Sequence, residues 1–136
     1  MNFPCTGCGA CCRALPAASA LNRGDGVCRH HDAVTQRCTI YAERPLICRV
    51  DDLYRERLAG QVTRRVYYLL QAQACVALDA SNSGMPLEMA RQLVMEEGTA
   101  LSPVDPDSDL EAMASLPPEE AAQGLEQVMT AVQPLL

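Results

Sequence analysis

Residues 4–12, with the sequence PCTGCGACC, place four cysteines close to the start of the chain. Two residues separate Cys5 from Cys8, and two separate Cys8 from Cys11. A turn with this spacing brings two thiolates to the same side of a tight loop. Ferredoxin-type proteins use this run to provide three thiolates to one 4Fe-4S cluster, and zinc ribbons use similar turns. The spacing therefore predicts metal binding and leaves open whether the metal is iron or zinc.

The adjacent cysteine Cys12 suggests a second role, because neighbouring side chains usually point apart and rarely bind one ion together. Two zinc sites, one cluster with one zinc, and one cluster with spare thiols are all compatible with the eight cysteines of the chain. Every cysteine is a candidate metal ligand: Cys5, Cys8, Cys11, Cys12, Cys28, Cys38, Cys48 and Cys75.

An even number of cysteines in a short chain is also typical of disulfide-stapled secreted proteins. Because the first cysteine is at position 5, we do not expect a cleavable leader before it. No segment approaches the roughly 18 apolar residues that span a bilayer. We therefore expect a cytoplasmic protein with no membrane partner, in which metal binding is favoured over structural disulfides.

The charges divide the chain into two unlike halves. Residues 1–68 contain ten of the eleven arginines and six acids, whereas residues 69–136 contain one arginine and eleven acids. The net charge is −6 and no basic run exceeds the pair Arg64 and Arg65, so we do not expect nucleic-acid binding.

Several polar side chains lie near cysteines in the sequence. Arginines in these positions are expected to donate hydrogen bonds to sulfur and to offset the negative charge of thiolates. Arg44 and Arg49 are the candidates for contact with a bound cofactor, and His30 and His31 are expected at the surface or beside the ligands rather than among them. The full set of nearby arginines is Arg13, Arg29, Arg37, Arg44 and Arg49.

Periodicity and turn residues predict the local structure. Residues 27–41 are typical of a hairpin with a turn at 32–36, which would bring Cys28 close to Cys38. Pro45 is expected to open a helical turn that carries Cys48. Helices are predicted at 64 to about 80, which carries Cys75, at 86–97, and from 118 to the C-terminus, with a loop at 101–109.

These elements predict a small α-rich, metal-stabilised domain. An irregular cysteine-rich N-terminal half with a short β-hairpin is followed by three to four helices. Residues 1–100 are expected to form the cysteine-cluster domain, with an acidic loop and an amphipathic C-terminal helix at 101–136 packed on it. Because aromatic residues make up only 4% of the chain, we expect an aliphatic core.

Three sequence blocks resemble the CxxCxxCC family of zinc- or iron-chelating proteins, the YkgJ-type cysteine-cluster proteins. They are the N-terminal run of residues 5–12, the GVC of residues 26–28 and CTIYAERPLICR of residues 38–49. Cys75 and the following GMPL of residues 84–87 are similar to a later cysteine and turn of the family. His31 departs from the family pattern, where an apolar residue is usual.

The resemblance implies metal chelation by these cysteines and supplies no established reaction. We expect a cytoplasmic iron–sulfur or zinc protein, an accessory or electron-transfer module that acts with a protein partner through its helical half. The alternatives are an enzyme with an open cluster iron, in which Arg44 and Arg49 would hold an anion, and a structural zinc module for protein–protein interaction.

Overall fold

The computed structural model describes Phe3, residues 11–13, Leu15 and residues 19–135. Within these residues the chain is mainly helical, with a short antiparallel hairpin in its N-terminal half, and the predicted fold class is confirmed. None of the described helices is long and apolar enough to cross a bilayer. The strands are β1 (His31–Asp32) and β2 (Arg37–Cys38), and the helices are α1 (Val50–Leu53), α2 (Arg64–Leu78), α3 (Met85–Glu97), α4 (Pro106–Ala114) and α5 (Pro118–Val132).

The hairpin is shorter than its sequence predicts, and its register differs. His31 pairs with Cys38, and Asp32 pairs with Arg37. Cys28 instead forms an isolated bridge with Asn22, and its backbone N–H donates to the Cys12 carbonyl at 2.6 Å. Cys28 therefore lies outside the hairpin, contrary to the predicted strand limits, because its backbone is bonded to other segments.

Helix α2 is the centre of the packing and contacts both α3 and α5. Its start is fixed by Thr63, whose side chain accepts a hydrogen bond from the Val66 N–H at 3.2 Å. Leu69 of α2 and Met89 of α3 are fully buried in the shared core. The predicted limits of α2 and α3 agree with the structure within two residues, and Gly98 ends α3 with a left-handed backbone, φ 68°.

The core contains a cluster of aromatic rings formed by Phe3, Tyr54, Tyr67 and Tyr68. The ring centroids of its contacting pairs lie 5.2–6.2 Å apart, within the range of favourable aromatic contacts. The expectation of an aliphatic core is wrong in part: most members of the core are aliphatic, but the rings join it because each tyrosine hydroxyl has a partner, which is a backbone carbonyl for Tyr54 and Tyr67. Tyr67 donates to the Val50 carbonyl at 3.1 Å.

The carboxylate of Asp51 joins the N-terminus, α1 and α2. Both of its oxygens lie 3.1 Å from the Phe3 nitrogen, and the Tyr68 hydroxyl donates to one of them at 2.7 Å. Burial and this hydrogen bond raise the pKa of Tyr68, so its hydroxyl keeps the proton that it donates. Phe3 is therefore held beside α1, two residues before Cys5 in the sequence.

Helix α4 lies where the sequence was expected to form a loop. Asp105 accepts a hydrogen bond from the Ser108 N–H at 3.1 Å, and Pro106 occupies the first helical turn. Leu110 is buried, and α4 packs against α3. The prediction of a loop over 101–109 is wrong from Pro106 onward, because the Asp-Pro pair is a helix start signal.

Helix α5 packs on α2 with only part of its apolar stripe. Val132 is buried, whereas the side chains of Leu125 and Met129 are about half exposed. Arg65 of α2 donates to Glu120 at 2.9 Å, so the basic and acidic halves meet at this interface. The spacing of the stripe predicts that all of it is buried in the core, but the structure buries only part of it. The division of the chain at residue 100 stays a prediction.

Gly124 sets how closely α5 approaches α2. A Cβ built at this position would overlap the Val66 Cγ1 methyl and lie 3.2 Å from Leu70 Cδ1. We expect Gly124→Ala to lower the free energy of unfolding by about 1–3 kcal/mol through overpacking. Urea unfolding followed by circular dichroism measures the change.

Gly84→Ala is the matched control, because a Cβ at Gly84 has no atom within 4 Å and its φ of −81° suits any residue. Equal stability of the Gly124→Ala and Gly84→Ala proteins would contradict close α2–α5 packing.

The Asp51 contact makes a second prediction. Hydrogen bonds to a charged group contribute about 1.5–3 kcal/mol each, so we expect Asp51→Asn to speed amide exchange at Phe3 at least tenfold. Hydrogen exchange followed by NMR measures this rate. Asp52→Asn is the matched control, because Asp52 instead bonds to Arg49 and Arg55. If both variants exchange Phe3 at the wild-type rate, Asp51 does not hold the N-terminus.

Candidate metal centre

The structure distributes the predicted ligands over five segments of the chain. Cys5 and Cys8 lie outside the described residues. Cys28 is buried, Cys11 is exposed, and the other described cysteines are partly buried. Cys11 and Cys12 lie on a 3-10 turn, Cys28 in a bridge, Cys38 at the end of β2, Cys48 on a 3-10 turn before α1, and Cys75 on α2.

Backbone hydrogen bonds bring these segments together. The N–H of Cys28 donates to Cys12, and the N–H of Leu15 donates to the Gly26 carbonyl at 2.9 Å. The N–H of Arg29 donates to the Leu21 carbonyl at 2.8 Å. The N-terminal turn is thereby fixed against the strand-like segment that carries Cys28. Candidate ligands that are distant in sequence are brought together by backbone hydrogen bonds between irregular loops rather than by a large sheet.

The thiols influence one another electrostatically. Burial, together with smaller contributions from Cys11, Cys28 and Cys38, raises the pKa of Cys12 to about 12. Burial also raises the pKa of Cys48 to about 11, with contributions from the same three cysteines. Five thiols thus share one neighbourhood in which each thiolate makes the next harder to form. A bound cation would remove this penalty, because metal binding displaces the protons.

In the described part of the chain, no three His, Cys, Asp or Glu side chains form a group that could hold a metal ion. The five thiols therefore lie in the same region without a completed coordination sphere among themselves. Cys5 and Cys8, which belong to the same predicted ligand run, lie outside the described residues and are not included in this statement.

Cys75 occupies a different environment. Its side chain packs against the hydrophobic core, and the Gln71 amide lies 4.0 Å from its sulfur. The Asn82 side chain, itself buried, donates to the Cys75 carbonyl at 3.1 Å and fixes the end of α2. The thiols that raise the pKa values of Cys12 and Cys48 come from the other segments. A ligand role for Cys75 stays a prediction.

Arg44 is the charged side chain beside Cys48. Its guanidinium lies 3.9 Å from the centre of the Tyr41 ring and donates to the Tyr41 carbonyl at 3.0 Å. It also donates to the Cys48 carbonyl at 3.2 Å, and its positive charge lowers the pKa of that thiol against the other influences. These contacts fix a cation next to the thiols.

Arg49, the residue after Cys48, has one buried donor that no described residue pairs. Its Nη1 donates to Asp52 at 2.7 Å, but its Nε is shielded from solvent without a hydrogen-bond partner among the described residues. The three other arginines near cysteines, at 13, 29 and 37, are exposed. Arg44 and Arg49 are thus the two predicted arginines that the structure holds partly buried beside Cys48.

Two orphaned atoms test whether these residues fit a metal–sulfur group. In the residues that the structure describes, Arg49 Nε and His31 Nδ1 are the buried side-chain polar atoms without a partner. Leaving such an atom unpaired costs about 1–3 kcal/mol. Both belong to residues next to a cysteine, along the chain for Arg49 and across the hairpin for His31. These unpaired atoms lie beside the thiols and would gain partners at a metal–thiolate centre, although the described side chains alone do not complete one.

Sequence reasoning placed His31 at the surface or beside the ligands, and its buried Nδ1 was not expected. The hairpin pattern could have indicated this position, because the residue directly opposite a cysteine lies on the same face of the sheet as that cysteine. The incorrect register concealed it.

Comparison with known proteins gives one match. The model of the CxxCxxCC family, described as "Putative zinc- or iron-chelating domain", matches residues 16–75. The matched segment begins after the N-terminal cysteine run and contains Cys28, Cys38, Cys48 and Cys75. No curated protein and no solved structure matches the chain. The resemblance is therefore confirmed over residues 16–75, which include the GVC and CTIYAERPLICR blocks and Cys75, whereas residues 5–12 and 84–87 lie outside the match.

Proposed function

We propose that this protein binds a metal–thiolate centre and acts as an accessory or electron-transfer module with a protein partner. The observation that carries the proposal is the convergence of Cys11, Cys12, Cys28, Cys38 and Cys48 from four segments of the chain. The proposed ligand set is completed by Cys5, Cys8 and Cys75. A family description of zinc or iron chelation supports the same chemistry.

The charge balance supports a bound metal. A zinc ion or a 4Fe-4S core with four thiolates carries a net charge of about −2, and an apolar setting makes that charge costly. Arg44 offsets part of it through its position beside Cys48. Arg49 offers Nε to a sulfur acceptor. Both arginines are therefore proposed to contact the centre rather than to bind a substrate.

Iron–sulfur is favoured over zinc for two reasons. The run of Cys5, Cys8 and Cys11 is the ferredoxin-type spacing, and hydrogen bonds from nitrogen to sulfur are a known means of adjusting cluster potentials. Cys11 is exposed, so a centre bound there lies close to the surface, where electrons can pass to another protein. A structural zinc module remains the alternative that metal analysis distinguishes.

A partner surface is proposed on the helical half. Leu125 and Met129 of α5 are half exposed, and Met129 borders a shallow groove of about 500 Å³ that Glu126, Gln133 and Pro134 also line. Apolar side chains beside acidic ones suit a partner segment that carries both apolar and basic residues.

The metal identity is tested by purification without oxygen. We expect a brown protein that contains iron and acid-labile sulfide, because the cysteine run favours a cluster over a single ion. Optical absorption with iron, sulfide and zinc analysis measures this. A colourless protein with stoichiometric zinc would overturn the iron–sulfur assignment and support the structural module, and a protein without metal would overturn the proposal.

The ligand assignment is tested by Cys28→Ser. Loss of a contact that supports a ligand typically lowers metal affinity about tenfold or more. We expect Cys28→Ser to lower it further, because Cys28 is the buried member of the group. Competition with a chelator measures the affinity. Val27→Ser, which introduces the same residue at the preceding position, is the matched control.

Cys75→Ser in the same assay decides whether α2 supplies a ligand. A loss of metal equal to that of Cys28→Ser would place Cys75 in the set, and a wild-type affinity would exclude it.

A further inference from the structure

Helix α5 has a second apolar line beside the face that packs on α2. Pro118, Ala122, Leu125 and Met129 are exposed, and intervals of four, three and four residues separate them. These intervals place them along one side of the helix, over about 16 Å of its axis. We call these four residues the outer seam of α5. Gly124, which meets α2, is buried, so the outer seam lies outside that contact.

The spacing of the outer seam is that of a surface that packs against another helix. Alternating steps of three and four residues are the repeat through which two helices pack side by side. Single exposed apolar residues are common on protein surfaces, but this line runs over about three helical turns. The shallow groove that Glu126, Gln133 and Pro134 line adjoins it, because Met129 belongs to both. The outer seam therefore has the length and shape to hold a helix.

Only negative charges flank the outer seam on its own helix. Helix α5 contains Glu119, Glu120 and Glu126 and no arginine, lysine or histidine. Glu120 is paired with Arg65 and lies on the opposite side of the helix. Glu119 and Glu126 are exposed and seven residues apart, so they lie along the same edge of the outer seam. Within the described residues neither of these two carboxylates forms an ion pair.

The neighbouring turn of residues 54–58 also contacts α5 and adds little net charge. Its Arg55 is paired with Asp52, and its Arg57 directly follows Glu56. A segment that approaches the outer seam therefore meets carboxylates that are still available for pairing.

A second copy of the chain is disfavoured as the occupant of the outer seam. Two α5 helices placed seam to seam would offer only carboxylates at their edges, and like charges across a helix pair are unfavourable. A partner helix with lysine or arginine beside its apolar residues would instead pair with Glu119 and Glu126. Charge complementarity therefore selects a basic amphipathic helix.

We propose that the outer seam of α5 is the docking site for a basic amphipathic helix of a partner protein. This proposal rests on the proposed function, which assigns a protein partner to the helical half, and it names the kind of segment that binds there. The apolar side of the partner helix covers Leu125 and Met129, and its cations lie beside Glu119 and Glu126. Apolar contact supplies affinity, while the charges fix the orientation and speed the association.

Two fluorescent peptides test the chemistry of the partner. Both are amphipathic helices with leucine at the seam positions, and the charged positions are all lysine in one peptide and all glutamate in the other. We expect the protein to bind the lysine peptide about tenfold or more tightly than the glutamate peptide, and higher salt to weaken this binding. Fluorescence anisotropy measures both affinities.

Met129→Gln tests the location of the site. Glutamine is a good helix former and Met129 is half exposed, so the variant keeps the fold and removes apolar contact. We expect it to bind the lysine peptide about tenfold more weakly, because an apolar side chain is no longer withdrawn from water on binding. Met95→Gln is the matched control, since Met95 is an exposed methionine of α3, and we expect it to bind like the wild type.

Three outcomes would overturn the proposal: no binding of the lysine peptide, equal affinity for both peptides, or equal affinity of the Met129→Gln and Met95→Gln proteins. A wild-type dimer in light scattering that Met129→Gln dissociates would also overturn it, in favour of a second copy as the occupant. Iron, sulfide and zinc analysis of the same samples tests the metal centre separately. Failure of the docking site and failure of the metal-binding function are therefore distinguishable.

Discussion

The carboxylate of Asp51 is the contact on which the arrangement of the N-terminal half depends. It accepts hydrogen bonds from the Phe3 nitrogen and from the Tyr68 hydroxyl, and therefore joins the chain start to α2. Asp51 lies three residues after Cys48, so this contact holds Phe3 close to the segment that follows a candidate ligand. The aromatic cluster packs beside the contact. A small domain with an irregular half needs such a cross-connection, because its loops contribute little core of their own.

The cysteine region has the opposite physical character. The core around α2 is stabilised by apolar burial, whereas the thiols disfavour one another as thiolates, as the raised pKa values of Cys12 and Cys48 record. Arg44 compensates for part of this, and the unpaired nitrogens of Arg49 and His31 face the same need for a partner. A bound metal would satisfy all of these groups together, so metal binding and folding of this half are expected to be coupled.

Local signals predicted the helices well where caps and apolar spacing agreed. The predicted helix starts at residues 64, 86 and 118 agree with the structure within one residue. Helix α4 was missed although Asp105 and Pro106 carried the signal, since the surrounding aspartates suggested a loop. The inward position of Tyr67 and Tyr68 followed from distant partners, Val50 and Asp51, and local spacing contains no information about those.

The sequence by itself determined a helical fold class and a cysteine-rich segment that is similar to a family described as zinc- or iron-chelating. Spacing and turn residues suffice for this, because ligand type and helix caps act over a few residues. Only the tertiary structure decided that His31 pairs with Cys38, and that Arg44 and Arg49 lie partly buried beside Cys48. Hairpin register and the pairing of loops depend on contacts between segments, such as that of Cys28 with Cys12. The neighbours of each thiol are therefore set by packing rather than by sequence distance.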